Sequence, residues 1–253
     1  MKVLVVSDVH ANIAALNTIL EKEADYDILC CARDYTDYGI YPTEVIERFR
    51  NLKNTHLVYG NHDLHVINTY ESGEWRTVED GKYKWVHYNC ERLNDQDIGW
   101  LKQLPETAYF EADGWKYGIA HQYDNGYGII ESRYAFDKYW AEHYGTDNTG
   151  NRRLIFGHTH RQCIHILGDG MEWLNPGSAS YRRPDDPDKT AHYVMITDGE
   201  ICLKQIPYDR KPQLEKAREF ISTDKMMRTE IQDFMFFFGD AKTSREPLEQ
   251  GTK

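Results

Sequence analysis

The sequence contains no long hydrophobic run. A membrane-spanning helix needs about 20 consecutive apolar residues, and the aromatic stretch at residues 234–238 is only a short local patch. Residues 1–6 hold one lysine and a run of four apolar residues before Ser7, far less than the apolar core of a signal peptide. We therefore expect a soluble protein without a membrane partner, located in the cytoplasm.

Paired cysteines are absent as well. The chain has five cysteines, an odd number, and no two of them have C-x-x-C spacing. We therefore expect neither a disulfide framework nor a structural zinc site. Free cysteines with this spacing are typical of small apolar core residues.

Positive charge is in deficit. The chain has 41 acidic and 30 basic residues, which give a formal net charge of −11. Because an acidic protein repels a long polyanion, duplex nucleic acid is a disfavoured partner. A small phosphate ester that is held by local cations remains compatible with this charge.

Short apolar runs alternate with helical patterns along the chain. Val3–Val6, Ile28–Cys31 and His56–Tyr59 predict buried strands, and apolar residues at helical spacing follow the first two runs. Further strands are predicted at residues 117–120, 154–156, 171–174, 192–196 and 201–206. This alternation favours an α/β sheet, in which ligands collect at the carboxyl ends of the strands.

The predicted domain organisation is a single body with additions. Residues 1–206 form the domain, with cap-like insertions at about 66–112 and 122–151. The first insertion carries a helix from Asn94 to Leu104, and the second is expected to overhang the site and to influence substrate choice. Residues 207–253 are predicted to be a helical extension packed on the same domain, and a homo-oligomer contact through these helices is the alternative.

Polar side chains that can bind metals follow the predicted strands. Each short motif alone also fits a turn or a helix cap. Together they supply histidine imidazoles, carboxylates and an amide, which is a ligand set suited to a pair of divalent metals, and such pairs attack phosphate esters. The motifs are Asp8-Val9-His10, Asp34-Tyr35-Thr36-Asp37, Gly60-Asn61-His62-Asp63, His121 and Gly157-His158-Thr159-His160.

This ordered set resembles the calcineurin-like metallophosphoesterase superfamily over residues 1 to about 206. Residues 7–12, 41–45 and 175–178 resemble its small bacterial and archaeal phosphodiesterase-like branch. The resemblance implies a four-layer α/β/β/α sandwich with two mixed β-sheets. It also implies two divalent metal ions, for which manganese, iron and zinc all suit the mixed ligand set.

The resemblance also implies a role for each motif residue. Asp8, His10 and His160 would hold the first metal, and Asn61, His121 and His158 the second. Asp34 would bridge both metals, and a bridging hydroxide would attack the phosphorus. His62 would donate a proton to the leaving oxygen, with Asp63 orienting it. The six other histidines, among them His65, His87 and His143, are interpreted as structural or exposed.

Two residues depart from the family pattern. Arg33 stands before the bridging aspartate and Gln122 follows His121, where glycine is common in both places. Arg33 either pairs with an acid such as Asp37 or helps to hold the substrate phosphate, and we expect the former. Arg182 and Arg183 are further candidates for binding phosphate, although they also fit a solvated pair that balances nearby acids.

The leading functional hypothesis is a dinuclear-metal-dependent phosphoesterase that hydrolyses a phosphodiester or phosphomonoester of modest size. A dinucleoside polyphosphate hydrolase or protein phosphatase is a second reading, because residues 34–39 resemble a motif of the serine/threonine protein phosphatases. A catalytically weak metal-binding scaffold, similar to the retromer subunit of this family, is a third. His62 argues against the scaffold, whereas Arg33 favours it.

Overall fold

The computed structural model describes residues 1–124, 126–168, 170–180, 188–223 and 225–239. Within them the chain forms ten strands and eight α-helices. The strands are β1 (Lys2–Val6), β2 (Ile28–Cys31), β3 (Thr55–Leu57), β4 (Ala108–Ala112), β5 (Trp115–Ile119), β6 (Asn151–Ile155), β7 (Gln162–Gly168), β8 (Met171–Pro176), β9 (Ala191–Thr197) and β10 (Glu200–Ile206). The helices are α1 (Ile13–Lys22), α2 (Pro42–Arg50), α3 (Asn61–Ser72), α4 (Trp85–Arg92), α5 (Asp95–Gln103), α6 (Arg133–His143), α7 (Lys211–Ile221) and α8 (Arg228–Phe237).

The strands form two mixed five-stranded sheets. The first has the order β10-β9-β1-β2-β3, and the second has the order β4-β5-β6-β8-β7. In the first sheet, β1, β2 and β3 run parallel. Strand β9 pairs with β1 in the antiparallel direction, and β10 pairs with β9 in the same way. In the second sheet, β5, β6 and β8 run parallel, with β4 and β7 antiparallel at the two edges. Each sheet therefore contains three adjacent parallel strands, and the carboxyl ends of these strands can share one site.

Alternating side chains of β1 show how the sheets are stacked. Leu4 and Val6 pack against helices in one buried cluster, which also contains Leu16 of α1 and Phe49 of α2. Val3 and Val5 point to the opposite face, as period-two alternation requires, where they join residues of the second sheet. A strand buried on both faces reads as a continuous apolar run, which is why β1 was predictable.

The outer face of the second sheet is covered by one helix. Phe136 and Trp140 of α6 pack on Leu154, Phe156 and Trp173 in a separate buried cluster. The order of layers is therefore helices, first sheet, second sheet, helix. This confirms the α/β/β/α sandwich with two mixed β-sheets.

Several elements were not predicted from the sequence. Helix α3 begins within the Gly60-Asn61-His62-Asp63 motif, where polar residues obscure the apolar period. Helix α6 buries mainly aromatic residues in a stretch rich in polar residues, and the side chains of β7 are half-buried without alternation. By contrast, Asn94 caps α5 as predicted and accepts hydrogen bonds from the backbone N–H groups of Gln96 and Asp97.

The C-terminal helices pack against the segment that precedes α4. Phe234 and Leu214 lie in one buried aromatic cluster with Tyr83, Trp85 and Ile40. The backbone reinforces this packing, because the Met227 N–H donates to the Tyr83 carbonyl at 2.7 Å. The division of the chain at residue 206 and an oligomer contact through these helices stay predictions.

Among the described residues, no helix combines the length and the apolar character that crossing a bilayer requires.

The buried aromatic cluster predicts the stability contribution of the C-terminal helices. Phe234 is 2% exposed, and its ring lies 4.9 Å from that of Trp85. We expect Phe234→Ala to lower the free energy of unfolding by about 3–5 kcal/mol, because it removes a buried ring and leaves a cavity. Urea denaturation followed by tryptophan fluorescence measures this change.

Ile221→Ala provides the matched control in the same extension. Ile221 is 58% exposed, so its truncation is expected to change the free energy of unfolding by less than about 0.5 kcal/mol. Equal effects of the two substitutions would contradict the packing of α8 on the body.

Candidate metal centre

The loops that follow the central strands stay hydrogen-bonded beyond the strand ends. The Asp8 N–H donates to the Arg33 carbonyl at 2.9 Å, and the His10 N–H donates to the Asp34 carbonyl at 2.8 Å. In the second sheet the Gly157 N–H donates to the His121 carbonyl at 2.9 Å. These bonds fix the loops side by side, so their side chains meet at one edge of the sandwich.

Unfavourable backbone conformations are concentrated in these loops. Non-glycine residues with positive φ cost about 1–3 kcal/mol each and occur where surrounding structure enforces them. Three residues outside the site, Asn54, Asp113 and Asp198, also have positive φ. Those at the site are Asp8, His10, Ala11, Arg33, Asp34, Asp37, Tyr38, His158 and His160. The strain is therefore located where the predicted ligands lie.

Two glycines allow the loops to approach closely. A Cβ on Gly60 would lie 1.8 Å from Oδ1 of Asp34. A Cβ on Gly157 would lie 2.1 Å from Oγ of Ser7 and 2.9 Å from Oδ2 of Asp8. Both glycines are required because the Asp34 carboxylate at Gly60, and the Ser7 hydroxyl with the Ala32 carbonyl and the Asp8 carboxylate at Gly157, occupy the space that a side chain would fill.

Three groups of side chains among the described residues could hold a metal ion, and two of these groups share Asp8. Asp8, His10 and His160 form the first group, and Asp8, Asp34 and His121 the second, with the ligand atoms of each group within 4.8 Å of one another. His160 Nε2 lies 3.1 Å from Asp8 Oδ1, and His121 Nε2 lies 3.6 Å from Asp34 Oδ2.

The two other predicted ligands adjoin the second group. The Oδ1 atom of Asn61 is in hydrogen-bond contact with Nε2 of His121. The ring of His158 lies 4.7 Å from the ring of His121, in an edge-on arrangement. The structure thus brings all seven predicted ligands into one cluster, while their division between two ions stays a proposal.

The electrostatics of the cluster suit cations. Burial, reinforced by the neighbouring imidazole of His62, lowers the pKa of His10 to about 3. Burial likewise lowers the pKa of His121 far below its usual range. Both imidazoles are therefore neutral at pH 7 and keep a lone pair for a metal.

The carboxylate of Asp34 shows most directly that the residues fit a cation. Burial, reinforced by the charges of Asp63 and Asp8, raises the pKa of Asp34 well above its ordinary value. Its Oδ1 atom accepts the His62 N–H at 3.1 Å, whereas its Oδ2 atom is buried and has no hydrogen-bond partner among the described residues. A divalent ion would satisfy this oxygen and keep the carboxylate ionised.

His62 lies beside the cluster and pairs with Asp37. The sequence predicted Asp63 as its partner, and that prediction is wrong. The Nδ1 atom of His62 is 2.9 Å from Oδ2 of Asp37. Burial opposes the charged imidazole, but the Asp37 hydrogen bond outweighs it and raises the pKa of His62 to about 9. His62 therefore carries a proton at pH 7.

The carboxylate of Asp63 binds backbone groups and therefore does not orient His62. Asp63 is the third residue of α3, and its carboxylate turns back to the start of that helix. It accepts the N–H groups of Gly60, Tyr35 and Thr36 at 3.0–3.1 Å and the Thr36 hydroxyl at 2.9 Å. Asp63 thereby holds the loop after β2. The sequence contains Asp37 within a predicted motif, but no local pattern indicates that it contacts His62.

Arg33 does not pair with Asp37, contrary to the expectation. Its guanidinium donates to the carbonyl of Glu106 and lies 5.2 Å from the centroid of the Tyr59 ring. Its φ is 99°, a value that favours glycine, so the family preference for glycine there has a conformational reason. Arg33 is 7% exposed. Arg182 and Arg183 lie outside the described residues.

The residue 175–178 stretch supports the ligand loops. The side-chain amide of Asn175 donates to the carbonyl of Gly157 and to Oγ1 of Thr159. The Ser178 hydroxyl donates to the Asp8 carbonyl at 2.9 Å. One turn therefore holds ligand loops from both sheets, a role that the sequence pattern did not indicate.

A small recess opens beside His158. Residues of the second predicted insertion form part of its wall, among them Gln122 and Tyr123, opposite Phe156 and Trp173. The Tyr127 ring stacks on His158 with centroids 5.0 Å apart. The insertion thus contributes side chains next to a predicted ligand.

The close approach at Gly60 predicts the effect of adding one methyl group. The φ of Gly60, −111°, is allowed for alanine, so Gly60→Ala acts only through its clash with Asp34. We expect the affinity for manganese to fall about 10- to 100-fold, as when groups that orient metal ligands are lost. Isothermal titration calorimetry of the metal-stripped protein measures this affinity.

Gly99→Ala provides the control substitution. Gly99 lies within α5, and a Cβ there would meet no atom within 4 Å. We expect unchanged manganese affinity and a slight gain in stability from the better helix former. An undiminished affinity in Gly60→Ala would show that Asp34 does not contact the metal.

Comparison with known proteins agrees with this geometry. A family model described as the calcineurin-like phosphoesterase superfamily domain matches residues 1–199. An uncharacterised protein of Methanocaldococcus jannaschii is 28% identical over 233 residues, which are 85% of this chain and 90% of that protein. A metallophosphoesterase structure from Sphaerobacter thermophilus is similar with a TM-score of 0.68 at 20% identity, covering 94% of this chain and 100% of that one.

A hypothetical protein from Pyrococcus horikoshii has a similar structure, with a TM-score of 0.69 at 16% identity, covering 94% of this chain and 98% of that one. The two solved structures agree with the sandwich described above. The family model extends over most of the chain, and it spans every predicted metal ligand. The resemblance drawn from the motifs is therefore confirmed, and the chain belongs to the calcineurin-like phosphoesterase superfamily.

Proposed function

We propose that the protein is a dinuclear-metal-dependent phosphoesterase that hydrolyses a small phosphodiester or phosphomonoester. The observation that supports it most strongly is the buried cluster in which two candidate ligand groups adjoin each other at Asp8 and Asp34. Two adjoining ligand groups suit two cations a few ångströms apart. Membership of a phosphoesterase superfamily supports the reaction class.

The residues divide between two ions as follows. Asp8, His10 and His160 hold the first ion, and Asn61, His121 and His158 hold the second. Asp34 contributes to both, and its buried Oδ2 atom lacks a hydrogen-bond partner among the described residues. When bound, the ions supply Lewis acidity toward phosphoryl oxygens and lower the pKa of water. Manganese, iron and zinc all fit these nitrogen and oxygen ligands.

His62 serves as the proton donor to the leaving oxygen. Its ring lies 5.1 Å from the ring of His10, so it borders the metal cluster without belonging to either ligand group. Asp37 fixes the ring through the Nδ1 contact and leaves Nε2 for the substrate. A proton delivered to the departing alkoxide or phenolate lowers the cost of breaking the P–O bond.

The contact between Asp37 and His62 disfavours the hypothesis of a catalytically weak scaffold. A binding scaffold has no use for a proton donor beside metals. Turnover of dinucleoside polyphosphates remains the alternative within the same chemistry. A neighbour described as a putative diadenosine tetraphosphatase has a TM-score of 0.53 at 14% identity. Comparing diadenosine tetraphosphate with aryl diesters as substrates distinguishes the two.

Leaving groups of different basicity test the proton donor. Metal-stripped protein is supplied with manganese and assayed on bis(p-nitrophenyl) phosphate and on diphenyl phosphate. We expect His62→Ala to lower kcat on diphenyl phosphate by about 100- to 10,000-fold, in the range of general acid catalysis. The loss on the p-nitrophenyl ester is expected to be smaller, because p-nitrophenolate leaves readily without a proton.

Metal content and an exposed histidine provide the controls. His62→Ala should retain both metal equivalents, since His62 is not among the proposed ligands of the two ions. His143→Ala removes an exposed imidazole on α6 and should leave both activities unchanged. Equal losses on the two esters would remove His62 from the role of proton donor, and no turnover on any ester with metals bound would favour the scaffold.

A further inference from the structure

We infer that Asp37, His62 and His65 form a third metal site, one that takes zinc and inhibits the enzyme. The ligand atoms of these three residues lie within 4.8 Å of one another. The site lies beside the dinuclear cluster and shares no residue with its seven proposed ligands. The inhibitory consequence rests on the proposed function of His62, whereas zinc binding itself does not.

The distances already approach those of a coordinated ion. Oδ2 of Asp37 lies 2.9 Å from Nδ1 of His62 and 3.4 Å from Nδ1 of His65. In a tetrahedral site with bonds of about 2.0–2.2 Å, neighbouring ligand atoms are about 3.3 Å apart. Little movement of Asp37 relative to either imidazole is therefore needed to place an ion between them.

The helix presents the two imidazoles together. His62 and His65 are three residues apart in the first turns of α3, a spacing that puts side chains on one face of a helix. Asp37 approaches that face from the loop after β2 and is itself held, because its N–H donates to the Asn89 side-chain oxygen at 3.0 Å. One loop and two helices, α3 and α4, thus fix the ligand set before metal arrives.

The three side chains of this site differ in their exposure to solvent. The side chain of Asp37 is 5% exposed and that of His62 is 19% exposed, whereas that of His65 is 54% exposed. The ion can therefore enter from solvent on the His65 side. Water completes its coordination there.

The ligand chemistry selects the metal. Two imidazole nitrogens and one carboxylate oxygen, with one open position, are a set that zinc binds well. Harder ions such as magnesium and calcium prefer oxygen ligands and larger coordination numbers. Zinc in buffered excess is thus the expected occupant, while the dinuclear cluster is already filled.

Occupancy changes what His62 can do. The ion takes the place of the proton between Nδ1 of His62 and Oδ2 of Asp37, and that proton is released to solvent. The ion then holds the His62 imidazole through Nδ1, so the direct Asp37 contact no longer orients the ring toward the leaving oxygen. Turnover therefore falls as the third ion binds.

Zinc stoichiometry tests the site without reference to activity. The full-length protein is equilibrated with zinc at several buffered free concentrations, separated from unbound metal, and analysed by atomic emission. We expect the wild-type protein to reach three zinc ions per chain and His65→Ala to reach two. His143→Ala, which removes an exposed histidine elsewhere, should still reach three.

The consequence is measured as the ratio of turnover at high and low free zinc within each variant. For the wild-type protein we expect this ratio to fall at least about 10-fold, in line with the loss of general acid catalysis, and for His65→Ala we expect it to stay near one. Two zinc ions in the wild-type protein, or three in His65→Ala, would overturn the site. Three ions without inhibition would overturn its effect on His62.

Failure of the proposed function can be distinguished from failure of the third metal site. A protein that binds three zinc ions in a His65-dependent way but hydrolyses no phosphate ester retains the site and loses the proposed reaction. A protein that hydrolyses esters with two ions and never binds a third retains the reaction and loses the site.

Discussion

The fold at this site depends on buried negative charge that the protein alone does not neutralise. Asp8, Asp34, Asp37 and Asp63 are all at most 3% exposed, and an uncompensated buried charge costs several kcal/mol. Asp37 and Asp63 are satisfied by imidazoles, backbone N–H groups and a hydroxyl. Asp34 keeps a buried oxygen without a hydrogen-bond partner among the described residues. We propose that divalent cations complete this balance, with neutral His10 and His121 among their ligands.

The arrangement of strands in the sandwich brings those carboxylates together. Parallel strands from both sheets end at one edge, and the loops beyond them stay paired through backbone hydrogen bonds. Positive φ at successive ligand residues aims their side chains inward at a conformational cost. Gly60 and Gly157 leave the space into which the carboxylates of Asp34 and Asp8 fit. The strained loop conformations and the absence of side chains at these two glycines therefore both serve to bring the carboxylates close together.

Much of this arrangement could be predicted from the sequence, because the predicted ligands follow strands that contain short apolar runs. The seven predicted ligands lie in one cluster, as the motifs indicated. The partner of His62 could not be predicted, since it depends on how α3 begins: Asp63 turns back to cap that helix, which leaves Asp37 to hold the imidazole. Arg33 was misjudged because its contact is a backbone carbonyl 73 residues away, which no local pattern encodes. Helix α6 was missed because its buried face is aromatic, with little apolar period.

The central claim is that two ions occupy this cluster with Asp34 between them. Crystals of the manganese-loaded protein, measured at the manganese absorption edge, test it directly. Two anomalous peaks are expected, one bound by Asp8, His10 and His160 and the other by Asn61, His121 and His158, with the Asp34 carboxylate contacting both. A single peak, or two peaks that Asp34 does not bridge, would contradict the account.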